Sequence, residues 1–176
     1  CSREDFSMDL PSLLKVYTSQ DAVVLTHVGG TVAQDYKRIA DWCRKNGVIL
    51  IEDAAHAFGV LGEHPPGSLS MAAVFSFYPT KAVPVGEGGV VVTRNENLAN
   101  DLSVFRNYGK HYVNGVIRYT GAGFNFRMDE WTAAIACAQL SRLNELLDLR
   151  RQDAHTLSLL VEPLVSSPDS NWYKFI

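Results

Sequence analysis

The stretch AVVLTHVGGTVAQDYKRIADWCRKNGVILIE, residues 22–52, holds two short apolar runs with a helical pattern between them. The runs at 22–26 and 48–51 have the length and composition of buried strands. Between them, apolar residues recur at spacings of three and four, which predicts a helix at about 33–46. A helical crossover of this kind joins parallel strands and is right-handed. The stretch therefore predicts an α/β fold.

The predicted helix has a signal at each end. Thr31 can cap the first turn with its side-chain oxygen, and Gly47 supplies the left-handed residue that commonly ends a helix. The apolar positions that recur at helical spacing are Tyr36, Ile39, Ala40 and Cys43.

Further elements follow along the chain. Runs at 72–77 and 89–93 are predicted strands, and the loop between them is too short for a helical crossover, so they must pair antiparallel if they are neighbours. Residues 109–123 carry four glycines and little periodicity, which fits either an ordered functional loop or a mobile one. Helices are predicted at 96–107, 128–150 and 152–161.

Composition excludes several classes of protein. The chain has 176 residues, 47% of them hydrophobic and 20% charged, which is typical of one ordinary globular domain. Its net charge of −3 provides no positive excess to attract nucleic acid or anionic lipid. No apolar run approaches the roughly 20 residues of a membrane span, and residues 1–20 do not resemble a signal peptide. We therefore expect a cytoplasmic protein with neither nucleic-acid nor membrane partners.

The three cysteines, Cys1, Cys43 and Cys137, are widely separated and form no C-x-x-C pair. This spacing indicates neither a disulfide framework nor a zinc site. Cys43 and Cys137 lie within helical patterns, where we expect them to be buried as small apolar residues.

Chemistry is first indicated by Phe75-Ser-Phe-Tyr-Pro-Thr-Lys81, which is followed by the turn Gly86-Glu-Gly-Gly89. A lysine held between a strand end and a glycine turn can be desolvated, which favours the neutral amine that attacks carbonyl groups. Schiff-base chemistry at Lys81 is one interpretation. The other is an ordinary solvated loop lysine.

A second motif, Glu52-Asp-Ala-Ala-His-Ala57, places Asp53 and His56 just beyond the carboxyl end of a parallel strand, where open α/β sheets bind ligands. A carboxylate there can keep a heteroaromatic nitrogen protonated, and an imidazole three residues later can bond a neighbouring oxygen. A capped turn with a satisfied histidine is the alternative. No third ligand at metal-binding spacing accompanies the pair, so no metal site is predicted.

Four motifs occur in order, and together they resemble the DegT/DnrJ/EryC1/StrS aminotransferase family. The resemblance extends from about residue 22 to residue 147. It implies the cofactor domain of a fold type I enzyme that uses pyridoxal 5'-phosphate, with a three-layer, mostly parallel sheet between helices. The motifs are Glu52-Asp-Ala-Ala-His-Ala57, Ser76-Phe-Tyr-Pro-Thr-Lys81, Gly86-Glu-Gly-Gly89 and Gly123-Phe-Asn-Phe-Arg-Met128.

The resemblance also implies a role for each site residue. Lys81 would form the Schiff base with the cofactor and later move protons. Asp53 would pair with the pyridinium nitrogen, and His56 would stand near the phenolic oxygen of the ring. Ser76 would bind the cofactor phosphate. Asn125 would reach the phosphate of the neighbouring subunit's cofactor, which implies a homodimer with shared active sites.

The implied reaction transfers an amino group from an amino acid, with glutamate as the expected donor, to a keto group of a nucleotide-linked sugar. Related dehydratases of the family remove a sugar hydroxyl instead, but they carry histidine at the position of Lys81. A nucleotide-binding Rossmann-like domain is disfavoured, because no G-x-G-x-x-G follows the first strand.

The resemblance also predicts a partial chain. Residues 1–162 would form part of the large cofactor domain, and 163–176 would form a linker and the first strand, at 172–176, of a small C-terminal domain. An alternative function follows from this expectation. The chain would then be a truncated, non-catalytic remnant that acts as a binding or regulatory module.

Overall fold

A computed structural model of the chain describes residues 1–165 and 167–176, which form two sheets and several helices. In chain order the elements are α1 Leu10–Val16, β1 Ala22–Thr26, α2 Tyr36–Asn46, β2 Ile49–Asp53, β3 Ala72–Ser76, β4 Gly89–Val92, α3 Glu96–Phe105, β5 Lys110–Val113, β6 Val116–Tyr119, α4 Glu130–Ser141 and α5 Leu143–Ser158.

The main sheet has the order β1-β2-β3-β4. Strands β1, β2 and β3 are parallel, and β4 pairs antiparallel with β3, so the predicted α/β class, the mostly parallel sheet and the antiparallel pair are all confirmed. Thr26 lies beside Asp53, and Asp53 lies beside Val74. The carboxyl ends of three strands therefore meet at one edge of the sheet.

Helix α2 covers one face of this sheet and forms the main core with it. Its buried side chains pack with Leu25 of β1 and Leu50 of β2. The predicted end of the helix is confirmed, since Gly47 has a φ of 68° and its N–H bonds the carbonyl of Cys43. The predicted start is wrong. Asp35 is the N-cap, and the Thr31 hydroxyl donates to the Val28 carbonyl instead, because the chain turns there before the helix begins.

Helix α1 is too short for its periodicity to predict it. Asp9 caps the helix by accepting a hydrogen bond of 2.8 Å from the Ser12 N–H, and Pro11 lies in the first turn. Both are ordinary signals of a helix start.

The glycine-rich segment 109–123 is ordered, because β5 and β6 form an antiparallel hairpin within it. The long helix expected at 128–150 is interrupted at Arg142, and α5 then continues to Ser158, so most of the separate helix predicted at 152–161 belongs to α5. The Arg142 guanidinium bonds both carboxylate oxygens of Glu145 at 2.7 and 3.0 Å. Beyond the interruption, Leu147 packs in the interior against Gly59.

Helix α4 buries less than its pattern predicts. Ala136 is its one buried residue among those described, and Trp131 is 84% exposed. Cys137 is exposed, so its predicted burial is wrong, whereas that of Cys43 is confirmed. The described helices include none that is both long and apolar enough to cross a membrane.

The strand predicted at 172–176 is absent from the structure. Trp172 has a φ of 52°, which is incompatible with an extended strand, and the segment turns back over the loop that follows β1. There the N–H of Lys174 donates to the carbonyl of Gly29 at 3.0 Å. Strand-like composition is overridden here by tertiary contacts.

Candidate active site

Asp53 is the last residue of β2 and lies half-buried at the carboxyl edge of the sheet. Its Oδ1 accepts a hydrogen bond of 3.1 Å from the N–H of Ala55, which closes a local turn. Across residues 1–165 and 167–176, no hydrogen bond engages its Oδ2. The carboxylate thus caps the turn and keeps one oxygen free to accept from a ligand.

His56 follows in the same turn, half-buried, with its Nδ1 accepting a hydrogen bond of 3.3 Å from the Gly29 N–H. Burial and the positive charge of Lys81 lower the pKa of His56, and the negative charge of Asp53 opposes that change. The imidazole is therefore neutral at neutral pH, and its remaining proton is on Nε2. This nitrogen is a hydrogen-bond donor.

Lys81 lies in the loop after β3 and is half-buried. Its N–H bonds the carbonyl of Tyr78, and the Arg150 guanidinium of α5 donates to the Lys81 carbonyl at 2.9 Å. The amine donates to the Tyr173 hydroxyl at 3.3 Å and stands 4.4 Å from the centre of that ring. Since the ring of Tyr173 also lies against the ring of His56, these side chains form one cluster.

Ser76 is the last residue of β3, and its hydroxyl oxygen accepts a hydrogen bond of 3.3 Å from the N–H of Tyr78. Within the part of the chain that the structure describes, no acceptor takes the hydroxyl proton, which is therefore available to an anion. Beside it, Gly89 approaches so closely that an added Cβ would lie 2.6 Å from the carbonyl oxygen of Phe75. The glycine turn after Lys81 is thus a packing requirement of the β3–β4 pair.

Asn125 lies apart from this cluster. It is exposed and forms an isolated antiparallel bridge with Asn107, next to the aromatic side chains of Phe124 and Phe126. Among the described residues, no hydrogen bond joins Asn125 to the groups around Lys81. Its role therefore stays a prediction that depends on a second subunit.

Tyr173 was not identified from sequence, because its segment has the composition of a strand. Its ring lies against the His56 ring, with centroids 4.4 Å apart. Its hydroxyl is 3.1 Å from the Thr80 hydroxyl. The bond from Thr80 and the nearby Lys81 amine lower the pKa of the phenol.

A second buried network lies directly beneath the cluster, and its members had no role assigned from sequence. The Glu52 carboxylate bonds the His27 imidazole at 2.8 Å, the Gly67 N–H at 2.8 Å and the Tyr36 hydroxyl. Burial alone would raise the pKa of Glu52, but its hydrogen bonds, first that from His27, outweigh burial and lower it. Burial raises the pKa of Tyr36, and the hydrogen bond to the Glu52 carboxylate raises it further.

The side chains of the cluster fit pyridoxal phosphate chemically. A free carboxylate oxygen of Asp53 can accept from a protonated ring nitrogen, and Nε2 of His56 can donate to a phenolic oxygen. The amine of Lys81 can react with an aldehyde, and the Ser76 hydroxyl can donate to a phosphate. Within the described residues, no group of three His, Cys, Asp or Glu side chains is placed to hold a metal ion.

Comparison with known proteins shows the family of the chain. The sequence profile of the DegT/DnrJ/EryC1/StrS aminotransferase family matches residues 4–168. The chain belongs to this family. Its sheet and flanking helices are accordingly those of the fold type I, pyridoxal-phosphate-dependent aminotransferases.

Two curated members of the family illustrate its range. The chain is 34% identical over 148 residues to the "Pleiotropic regulatory protein" of Geobacillus stearothermophilus, a match that covers 82% of this chain and 38% of that protein. It is also 34% identical over 149 residues to the GDP-perosamine synthase of Caulobacter vibrioides, with 84% of this chain and 40% of that protein covered.

A solved structure of the family agrees closely in fold. The X-ray structure of DesV from S. venezuelae, in complex with a ketimine intermediate, superposes with a TM-score of 0.87 and 29% identity. The match covers 99% of this chain and 49% of DesV. The chain thus spans about two fifths of the length of the curated members above and half that of DesV.

Proposed function

We propose that the full-length protein is a pyridoxal-phosphate-dependent aminotransferase. It moves an amino group from an amino acid, glutamate, to a keto group of a nucleotide-linked sugar. One observation carries the proposal: in a chain of this family, Asp53 ends β2 at the carboxyl edge of the sheet, and His56 in the following turn contacts the same Tyr173 ring as the Lys81 amine. Open α/β sheets bind their ligands at this edge.

The polar groups are suited to hold the cofactor ring. When bound, pyridoxal phosphate supplies an electron sink for the negative charge that develops on a substrate carbon. The free oxygen of Asp53 keeps the ring nitrogen protonated, which strengthens that sink. His56, neutral and protonated on Nε2, donates to the phenolic oxygen of the ring.

Lys81 provides the reactive amine. Its amine would hold the cofactor by reacting with the aldehyde group, and the same amine would move a proton at the substrate carbon. Arg150 donates to the Lys81 carbonyl, and the Lys81 N–H donates to the Tyr78 carbonyl. These bonds hold the backbone of Lys81 in place, and with it the point from which the side chain extends. Ser76 donates its hydroxyl proton to the cofactor phosphate.

The substrate class rests on the named members of the family. The Caulobacter vibrioides protein is a GDP-perosamine synthase, and one further member, from Micromonospora megalomicea, is a dTDP-3-amino-3,4,6-trideoxy-alpha-D-glucose transaminase. Both names specify nucleotide-linked amino sugars. We propose the same substrate class for this protein, with the reaction taking place in the cytoplasm.

The proposed assembly is a homodimer in which Asn125 reaches the cofactor phosphate of the other subunit. Its exposure, away from the cluster around Lys81, is compatible with that role. In the complete protein, residues 1–162 belong to the large cofactor domain, and 163–176 lead into a small C-terminal domain.

Spectroscopy of the full-length protein tests the proposal. Titration with pyridoxal phosphate is expected to produce the visible absorbance of a protein-bound Schiff base, which glutamate bleaches. Lys81→Ala abolishes the absorbance, whereas the control Lys45→Ala, at an exposed lysine outside the cluster, retains it. Absence of the band at saturating cofactor would refute the proposal.

A product assay then identifies the reaction. With ¹⁵N-labelled glutamate and a keto-sugar nucleotide, the label is expected in the sugar. Removal of a sugar hydroxyl without incorporation of nitrogen would identify a dehydratase instead.

A regulatory function is the second candidate, because the Geobacillus stearothermophilus member is named a pleiotropic regulatory protein. In that case the chain is a non-catalytic remnant that binds or regulates a partner. The same titration separates the two candidates, since a remnant of this kind gives no absorbance that glutamate bleaches.

A further inference from the structure

The C-terminal residues 170–176 lie across the candidate site, and Asn171 anchors them there. This residue is 1% exposed. Its side-chain amide donates to the carbonyls of His56 and Phe58 at 2.8 and 2.9 Å, so it binds the turn that carries the site imidazole. Its N–H bonds the Gly30 carbonyl at 3.0 Å, as the Ser170 hydroxyl does at 3.1 Å.

The same anchor sets the direction of Tyr173. The Asn171 Oδ1 accepts a hydrogen bond of 2.9 Å from the Tyr173 N–H, and the next N–H, of Lys174, bonds Gly29. Gly30 has a φ of 103°, and a Cβ there would lie 2.1 Å from the Asn171 Oδ1. Only glycine leaves room for the Asn171 side chain here. The loop after β1 therefore requires Gly30 for residues 170–176 to pack against it.

Tyr173 then contacts the reactive lysine in two ways. Its oxygen is 3.3 Å from the Lys81 amine and 3.1 Å from the Thr80 hydroxyl, and the amine stands over its ring. The Tyr173 ring also lies against the His56 ring, with centroids 4.4 Å apart. The phenol oxygen accepts from the Lys81 amine, and in the contact with Thr80 either hydroxyl can donate.

We propose that Tyr173 is a positioning residue for Lys81, whose amine it holds beside His56 by a hydrogen bond and by the face of its ring. The assignment rests on the proposed function, because it gives Lys81 a resting position beside the cofactor space. With this assignment, the candidate site includes residues 170–176 as well as the motifs at 52–57 and 76–81.

Other charges also face Lys81 and are present in every variant below. They come from β2, the turn after it, the C-terminal segment and α5, and they are Asp53, His56, Lys174 and Arg150. Because the test changes only one hydroxyl at a time, their contribution cancels between variants.

The test measures the acylation rate of Lys81 in the full-length protein without cofactor, by peptide mass spectrometry. Tyr173→Phe keeps the ring and removes the hydroxyl that accepts from the amine, so the rate is expected to rise roughly three- to tenfold. Because the ring stays in place, this increase measures the lost hydrogen bond and not exposure of the lysine.

Matched controls isolate the contact. Tyr78→Phe removes another hydroxyl, from an exposed ring three residues before Lys81, and is expected to leave the rate unchanged. Thr80→Val removes the second group bonded to the phenol, and a smaller increase is expected. Equal rates in wild type and Tyr173→Phe, or an equal increase in Tyr78→Phe, would overturn the proposal.

The outcome is separable from that of the proposed function. Cofactor binding without a change of the acylation rate in Tyr173→Phe refutes the positioning role alone. A changed rate in a protein that binds no pyridoxal phosphate supports the contact and refutes the enzyme.

Discussion

Nε2 of His27 and Oε2 of Glu52 lie 2.8 Å apart beneath the candidate site, and both side chains are completely buried. Nδ1 of His27 accepts from the Ala33 N–H, so Nε2 is the nitrogen that donates to Glu52. The carboxylate also accepts from Tyr36 and Gly67. The network ties β1, β2, α2 and the 65–70 loop together directly behind Asp53.

Replacing this carboxylate is expected to be costly. In Glu52→Gln, an amide NH₂ faces groups that all donate, so at least one buried donor loses its acceptor. The free energy of unfolding should fall by about 2–4 kcal/mol, measured by urea unfolding of the full-length protein. Glu145→Gln, which breaks an exposed pair with Arg142, is the control and should have no measurable effect. Equal stability of the Glu52 variant and wild type would contradict a structural role.

The same residue predicts a dependence of stability on pH. Burial would raise the pKa of Glu52, but the hydrogen bonds from His27 and Tyr36 lower it in the folded state. A lowered folded pKa gives stability that is complete above the unfolded value, about 4.3, and is lost as the pH falls through the folded value. Below about pH 5, the free energy of unfolding should therefore fall more steeply in wild type than in Glu52→Gln.

Urea unfolding at a series of pH values measures both slopes. Tyr36→Phe removes one of the hydrogen bonds to the carboxylate and should give an intermediate slope. Identical slopes in the three proteins would show that Glu52 does not titrate differently in the folded and unfolded states.

Local sequence signals predicted the β1-α2-β2 unit, because its strands are continuous apolar runs and its helix ends at a glycine. The position of the candidate site was predicted from this unit, because Asp53 lies at the carboxyl end of its second parallel strand. The pairing of His27 with Glu52 could not be predicted in this way. It depends on the register that places Thr26 beside Asp53, which is a property of the folded sheet.

The C-terminal part of the chain was predicted less well for a similar reason. The chain leaves the helix at Arg142, between α4 and α5, although the apolar residues keep helical spacing across that position. Tyr173 reaches Lys81 only because Asn171 bonds the distant carbonyls of His56 and Phe58. Contacts across more than 100 residues leave no periodic signal.

The proposed sharing of active sites predicts complementation between two inactive variants. In a heterodimer of Lys81→Ala with Asn125→Ala, one site has both native residues and the other has neither. Co-expression with random pairing makes half of the dimers heterodimers, each with one native site, so about a quarter of wild-type activity should return. Differently tagged subunits allow the heterodimer to be purified and assayed. Activity no greater than that of the separate homodimers would place Asn125 outside a shared site.

The proton affinity of His56 is expected to report the charges around it. Burial and the charge of Lys81 lower its pKa, and the charge of Asp53 opposes them. Its imidazole should therefore titrate below the usual value of about 6.5. Lys81→Met removes a positive charge and should raise the His56 pKa, whereas Asp53→Asn removes a negative charge and should lower it further.

NMR of ¹³C-labelled histidine in the cofactor-free, full-length protein measures the titration, and His56→Gln assigns the signal. A titration that neither variant moves would show that the three side chains do not share one site, and the proposed cofactor chemistry would lose its geometric basis.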